Sequence, residues 1–397
     1  IDDLAVEIEN QSEHKKIPAK DSDLLEIVYT SGTTADPKGV MLTHSNILSN
    51  VNALKEALYF PNNPSFLSIL PLSHVLEQTA GMLAAITLGS KIVHVQTKSS
   101  SALLDALQSH KIEIIVAVPI FLEILRQNIY REAERKNKLK TLNFMISNSA
   151  RLPVNIRRLL FRKIHSKLGG KLKYFFVGGA PLDEELEKFW DTLGVEVLQG
   201  YGLTECSPVV ICNRPNDKKV GSIGKPLSNL RVRIGKDSEL YVNGPNVTQG
   251  YYQNLAETKK IIKKGWFNTQ DIIRQDADGW YRIKGRKKNM ILTSSGQNVY
   301  PEDIEKVLNR IPDVEDSCVV QKEESIIAAI LTEKKVNTTS IRDLANNKLS
   351  TSQQINEVII YPENDFPRTS TLKIKRALVL EKIKTPTNQR PVNQDKL

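Results

Sequence analysis

A chain of 397 residues, 40% hydrophobic and 25% charged, has an ordinary soluble globular composition and is long enough for two or three domains with cores of their own. Its longest apolar stretch, residues 79–89, is far too short to span a bilayer, and no basic-then-apolar signal segment opens it. The net charge of +10 is spread over short mixed clusters such as 131–140 and 284–288. That pattern reads as a solvated basic surface and lacks the aromatic-basic interleaving of a nucleic-acid binder.

Residues 1–22 are polar and charged and read as a loose lead-in. A β-rich run, EIVYT (26–30), then enters a Ser/Gly/Thr loop, followed by a helix over 43–58 with Thr43 as its cap. Apolar runs recur at FLSIL (66–70), KIVHV (91–95), IEIIVAV (112–118), KYFFVGG (173–179) and VEVLQ (195–199). Helical-period segments such as 154–168 and 183–193 separate most of them. Strands alternating with helices predict βαβ units and a mainly parallel sheet. After about Gly221 short strands and turns (RVRI, ELYVNG, GWYRI) predict a small antiparallel β subdomain over about 221–284. Beyond GRKKN (285–289) come a Pro-started helix over 301–310, the strands VEDSCVVQ and SIIAAILT, a helix near Ile341 and the strand NEVIIY. These form a compact α+β unit of ordinary small-domain size. The last dozen residues read as a disordered tail. Cys206, Cys212 and Cys318 are odd in number and make no CxxC pair, so a reducing compartment without structural disulfides is the simplest reading.

Two strings carry chemistry on their own terms. YTSGTTADPKG (29–39) sends a strand into small hydroxyl residues and glycines, whose backbone N–H groups and hydroxyls can wrap phosphates, with Lys38 adding a positive charge. It is not a Walker A loop, because Lys precedes Gly. QGYGLTE (199–205) combines an aromatic, a hydroxyl and a single carboxylate; one carboxylate suits Mg2+, which takes few protein ligands alongside phosphate oxygens. Taken singly, His74, Asp271 or Arg286 would read as ordinary loop or surface residues.

In order and spacing, these strings resemble the adenylate-forming superfamily of acyl-CoA synthetases, coumarate ligases, luciferases and peptide-synthetase adenylation domains. The resemblance runs from about Leu24 to Arg376. It implies an α/β fold: a large N-terminal domain over 1–284, with mainly parallel sheet flanked by helices plus the β subdomain, then a small mobile α+β domain over 285–397. In the phosphate loop it implies ATP contacts from Thr30, Ser31, Gly32, Thr33, Thr34 and Lys38. LPLSHVLE (70–77) resembles the loop lining the acyl site, with His74 in a gating or positioning place. GGAPL (178–182) resembles the adenine-contacting turn, through Gly179, Ala180 and Pro181. In QGYGLTE, Gly200, Tyr201 and Gly202 would meet the nucleotide, Thr204 the phosphates and Glu205 the Mg2+, with Thr30 as a second metal contact. Asp271 and Arg286 occupy the ribose-binding places, although Gln270 stands where glycine is usual. Lys288 is at the hinge. Ser295 and Gly296 lie in the loop that turns toward CoA, and FPRTSTLKIKR (366–376) puts Lys373 in the catalytic place, with Leu372 where glycine is usual.

The implied reaction joins a long-chain fatty acid to CoA through an acyl-adenylate, with ATP, Mg2+ and CoA as the small molecules and no nucleic acid. A cytoplasmic location follows, with contact at a membrane surface and the oligomeric state left open. Another acid, aryl or passed to a carrier protein, is the alternative within the superfamily; a non-catalytic nucleotide-binding fragment is the alternative outside it. Only 28 residues precede Tyr29 and the first is Ile1, so the chain reads as truncated at its N-terminus. From that reading comes one structural expectation, that a face of the sheet carrying IEIIVAV and KYFFVGG lies open.

Overall fold

The computed structural model describes residues 18–30, 37–60, 63–95, 99–293, 297–369 and 374–384. Strand β1 (Leu24–Thr30) pairs antiparallel with β2 (Lys38–Thr43). Helix α1 (His44–Ala57) starts directly from β2, because Thr43 accepts from the Asn46 backbone while Asn46 accepts from the Thr43 backbone, a reciprocal cap that satisfies two otherwise orphaned donors.

The central sheet follows: β3 (Phe66–Ser68), β4 (Ile92–His94), β5 (Ile114–Ala117), β6 (Tyr174–Val177), β7 (Glu196–Gly202), β8 (Val209–Cys212) and β9 (Lys225–Pro226). Its order is β4-β3-β5-β6-β7-β8-β9. The strands from β4 to β7 run parallel, and β8 and β9 add an antiparallel edge. Helices α2 (Ser100–His110), α3 (Pro119–Arg135), α4 (Leu139–Ser149), α5 (Val154–Leu160), α6 (Arg162–Lys167) and α7 (Glu184–Leu193) fill the crossovers. The segment read as one helix over 154–168 is two, divided at Phe161, which is 3% exposed and turned into the core.

Alternate residues of each strand enter opposite cores. Phe66, Ile114, Val116, Phe176 and Leu198 pack on the side of α1. Leu67, Ile115, Ala117, Phe175, Val177 and Val197 pack on the side of α2, α3 and α7. The expectation of an open sheet face is therefore wrong for these strands. Ile114 to Ala117 are all 0% exposed, as is Phe175, because helices cover the sheet on both sides, as parallel sheets require. Large apolar residues are exposed elsewhere: at Leu24 and Leu25 of β1, at Leu48, Tyr59 and Ile86, and on the helical layer around α4 and α5.

Strands β10 (Arg231–Ile234), β11 (Glu239–Asn243), β13 (Ile262–Lys263), β14 (Trp266–Gln275) and β15 (Tyr281–Arg286) form a five-stranded antiparallel sheet. β12 (Gly250–Tyr251), which lies between them in the chain, pairs instead with β2, and helix α8 (Leu255–Ile261) follows. The last unit holds the hairpin β16 (Ile291–Leu292) and β17 (Asn298–Val299), helix α9 (Pro301–Leu308), strands β18 (Asp316–Lys322), β19 (Ser325–Leu331) and β20 (Glu357–Ile360), and helices α10 (Thr338–Asn346) and α11 (Arg376–Lys384). Its three-stranded sheet has a core on each face.

One buried charge stands out in the first core. Residues Glu77–Leu83 form a π-helical turn, which places the Glu77 side chain inward at 0% exposure. Neither carboxyl oxygen completes a hydrogen bond, and a side chain at Gly81 would collide with it, at 2.4 Å from Oε1. Burial pushes the carboxyl from 4.5 up to about 7, offset in part by the nearby Ser68 and the Leu70 backbone.

The sign follows from linkage. Below 4.5 the carboxyl is neutral in both states and its contribution is whole. As pH rises toward 7 only the unfolded chain ionises, so stability is lost. Glu77→Gln stays neutral throughout. Its stability advantage over the parent in urea titrations should therefore grow by roughly 1.4 kcal/mol per pH unit at most between about pH 5 and 7, then level off. Parallel pH profiles for the two proteins would contradict the assignment.

Candidate active site

Three chain segments converge where β7 leaves the central sheet. Gly202 ends β7 against the backbone of Pro208, where a side chain would lie 1.9 Å from the Pro208 carbonyl oxygen, so only glycine lets the strand pass. This close pass carries the chain from Tyr201 into the short turn Thr204–Cys206. Asn50 of α1 locks the turn from one side, exchanging hydrogen bonds with Val209 of 2.7 and 3.3 Å. Asn246 locks it from the other, donating to the Cys206 carbonyl at 2.6 Å.

Tyr201 is 7% exposed and donates its hydroxyl to Asp271 Oδ2 at 2.6 Å. Asp271, itself 3% exposed, takes Arg286 Nε on its other oxygen at 2.9 Å. β14 and β15 pair Asp271 directly with Arg286, so the two ribose candidates face one another across a ladder. Burial and the neighbouring Asp271 raise the Tyr201 phenol far above its ordinary range, keeping it a neutral donor. Burial works against the Arg286 charge, but Asp271 and Tyr201 outweigh it and hold the guanidinium protonated.

On the opposite side, Glu205 Oε1 accepts the Tyr251 hydroxyl at 2.8 Å. Tyr251 stands opposite Val40 in the β2–β12 pairing, and Lys38 Nζ lies 5.3 Å from its ring centre, within cation–π range. Lys38 also meets Glu257 at 2.5 Å. Thr30 Oγ1 donates to the Lys38 carbonyl at 3.3 Å. Lys288 belongs to the same field: burial, then Arg286 and Lys38, push its ammonium down, against Asp271 and Glu205. Lys38, Glu205, Asp271, Arg286 and Lys288 thus share one electrostatic neighbourhood, reached from β2, β7, β14, β15 and the residues after it.

Other candidates stand nearby without joining these bonds. Gly179, Ala180 and Pro181 form the turn after β6, where a side chain at Gly178 would meet Leu76 at 3.3 Å and the Gly200 carbonyl at 3.7 Å. That places the turn between β7 and the His74 loop, and His74 itself lies half-buried at the loop's first turn, accepting from the Gln78 backbone. Thr204 is half-buried and its carbonyl accepts from Ser207. Gly200 and Gly202 bracket Tyr201 in β7. Ser31, Gly32, Thr33, Thr34, Ser295, Gly296 and Lys373 lie outside the described residues. The base of the segment carrying Lys373 is described: Arg368 bridges to Ile374, and Arg376 is held by Glu305, Glu302 and the Val319 carbonyl.

Tyr251 and Glu257 escaped the sequence reading. Each sits about fifty residues after Glu205 in an unremarked GYYQNLAE stretch, and only the pairing of β12 with β2 brings them to Lys38. Gln270 gains a physical explanation: its φ is +59°, in the left-handed region where a side chain is strained, which accounts for glycine being usual there.

A family profile described as AMP-binding enzyme matches residues 2–252. The long-chain-fatty-acid–CoA ligase FadD15 of Mycobacterium bovis is 30% identical over 419 residues, covering 91% of this chain and 68% of that protein. Long-chain-fatty-acid–CoA ligase 5 of Mus musculus is 33% identical over 322 residues, covering 75% of this chain and 47% of that protein. Among solved structures, o-succinylbenzoate CoA synthetase from Bacillus subtilis, in complex with its acyl-adenylate intermediate, superposes with a TM-score of 0.78 at 23% identity. The match covers 98% of this chain and 75% of that one, and carries the fold.

Gln270→Gly should relieve the strained backbone and raise stability by about 1 kcal/mol, read as a higher urea midpoint with an unchanged slope. A midpoint at or below the parent's would show that the freedom glycine adds to the unfolded chain outweighs the strain relieved at φ +59°.

Proposed function

The chain belongs to the AMP-binding enzyme family, and from that premise we propose that it is an acid–thiol ligase of the long-chain fatty acyl-CoA synthetase type. The observation that carries the reading is the pair of tyrosine–carboxylate contacts, Tyr201–Asp271 with Arg286 and Tyr251–Glu205 beside Lys38. In this reading the first, where the Asp271 and Arg286 charges offset one another, is the ribose-binding end and the second the phosphate-binding end. The relatives at 30% and 33% identity are named for long-chain fatty acids, which favours that acid over an aryl one.

In this reading the fatty acid carboxylate, already ionised at neutral pH, attacks the α-phosphorus of ATP. Pyrophosphate leaves with the electron pair of the broken P–O bond, and no general base is needed. Lys38 and the phosphate loop orient the β- and γ-phosphates, and Lys373 stabilises the charge that grows on the α-phosphate oxygens. Asp271 and Arg286 hold the ribose, and Tyr201 lies against the adenine. CoA thiolate then attacks the acyl carbon of the mixed anhydride and AMP leaves. Between the steps the small C-terminal unit turns about Lys288, exchanging Lys373 for the loop with Ser295 and Gly296.

The residues fit Mg2+ as a partner of substrate phosphates. Among the described residues no group of three His, Cys, Asp or Glu side chains gathers that could hold a metal alone. Glu205 Oε2 makes no hydrogen bond among them, while Oε1 is fixed by Tyr251. Glu205 and Thr30 would hold the ion, which when bound neutralises phosphate charge.

Lys373→Ala should slow acyl-adenylate formation, followed by pyrophosphate release with a panel of carboxylic acids, by on the order of a hundredfold or more. Thioester formation from supplied acyl-AMP should remain. Equal loss in both half-reactions would contradict the role. Glu205→Gln should weaken the magnesium dependence and the rate while leaving thermal melting close to the parent's, and an unaltered magnesium titration would remove Glu205 from the metal site. Release of pyrophosphate with aryl acids but not with long-chain acids would overturn the substrate class.

A further inference from the structure

Helix α5 is turned inside out. At about 100° per residue, Ile156, Leu159 and Leu160 share one side and Arg157 and Arg158 the other. In a helix packed on a core the apolar side faces inward. Here the arginines do. Arg157 donates to the Asp191 carbonyl, and Arg158 donates to the carbonyls of Leu172 and Gly194, each at 2.8 Å. These bonds pin α5 to the C-terminal end of α7 and to the lead-in of β6, and leave the apolar side in solvent. Ile156 is 50% exposed, Leu159 69% and Leu160 42%, and Leu152 and Val154 just before them are 37% and 47% exposed. No residue of α5 is buried.

The surroundings are strongly one-signed. Between residues 131 and 173 eleven lysines and arginines are exposed, against a single exposed acid, Glu134. Lys136 and Lys167 share Glu132, and Lys173 meets Glu113. Arg151, Arg162 and Lys163 flank the apolar side directly in sequence and are all exposed.

We propose that α5, with its basic rim, is a surface that docks on an anionic phospholipid bilayer, the leucines and isoleucine entering the acyl boundary and the cations meeting lipid phosphates. The apolar side alone would suit several occupants; the charge selects among them. A second copy of the chain applied through the same face would set like charges against like, at a cost that grows as salt falls. An anionic lipid surface complements both features at once, as for amphipathic helices that lie in the interface. The docking does not depend on the active-site reading, because it is measured without turnover.

The experiment compares the parent chain with an Ile156→Ser, Leu159→Ser, Leu160→Ser variant and an Arg162→Glu, Lys163→Glu variant. Each is co-sedimented with phosphatidylcholine vesicles and with vesicles also containing phosphatidylglycerol. The parent should bind the anionic vesicles in a salt-sensitive way, and either variant should lose roughly tenfold or more in partition. Melting temperature and pyrophosphate release with a water-soluble acid should stay at the parent's level. A second readout uses Leu159→Cys carrying an environment-sensitive dye, since the three native cysteines are buried; its emission should shift to the blue with anionic vesicles only. Absence of parent binding, equal binding by the variants, or a parent dimer that the serine variant dissociates would each overturn the proposal.

Discussion

A carboxylate withdrawn from water must be compensated where it lies, and Asp271 is the one on which this structure turns. Its two oxygens are taken by the Tyr201 hydroxyl from the central sheet and the Arg286 guanidinium from the neighbouring strand. Removing either partner would leave a buried charge half-satisfied, which is far more costly than the pair is stabilising. The end of β7, the middle of β14 and the end of β15 are therefore held in one relative position. Because Arg286 is also the last residue of β15, the chain leaves for the C-terminal unit from a fixed point. Lys288 follows two residues later, its charge opposed by burial and by Arg286 itself. The hinge proposed at Lys288 would thus begin beside an anchored residue and could turn without disturbing what lies before it.

The proposed phosphate side depends on a different kind of constraint. Lys38 follows the loop by way of β2, and β2 is held between β1 and β12. Tyr251 of β12 reaches Glu205, and Lys38 is held over the Tyr251 ring by Glu257. Under the proposed function, an anion arriving at Lys38 would meet a cation that already has a carboxylate partner and would bind by exchange with Glu257. Thr248 adds a backbone contact to the Glu205 carbonyl of 2.8 Å and a hydroxyl contact to the Met41 carbonyl of 2.5 Å. The turn bearing Glu205 and the strand bearing Lys38 are thus tied through a third segment rather than directly to one another.

The helical layer on the far side of the sheet shows how charge can set the orientation of a helix against its own apolar pattern. Arg157 and Arg158 donate to carbonyls at the end of α7 and just before β6, where the Asp191 carbonyl also takes the Gly194 N–H. Those bonds hold the arginines inward and leave Ile156, Leu159 and Leu160 in solvent. The central sheet has no such conflict: its strands are apolar on both faces, and both faces are covered.

Much of this was written along the chain. The strand runs, the Thr43 cap, the Asp183 start of α7 and the order of the motif strings are local facts, carried by residues within a few positions of one another. So were the glycines and hydroxyls of the phosphate loop, and the resemblance of the strings to one family. What the sequence could not reveal were partners far apart in number and near in space. That β12, between strands of the five-stranded sheet in the chain, pairs with β2 instead and brings Tyr251 and Glu257 to Lys38 is decided by contact between segments some two hundred residues apart. That both faces of the central sheet are covered depends on where the crossover helices pack. That Gln270 sits at positive φ goes with the register shift of β14 against β11, and that α5 shows its apolar side to solvent is an outcome of bonds made to distant backbone. Local propensity and motif order determined which residues could do chemistry; only the packing of separate segments against shared buried carboxylates and carbonyls decided which of them meet.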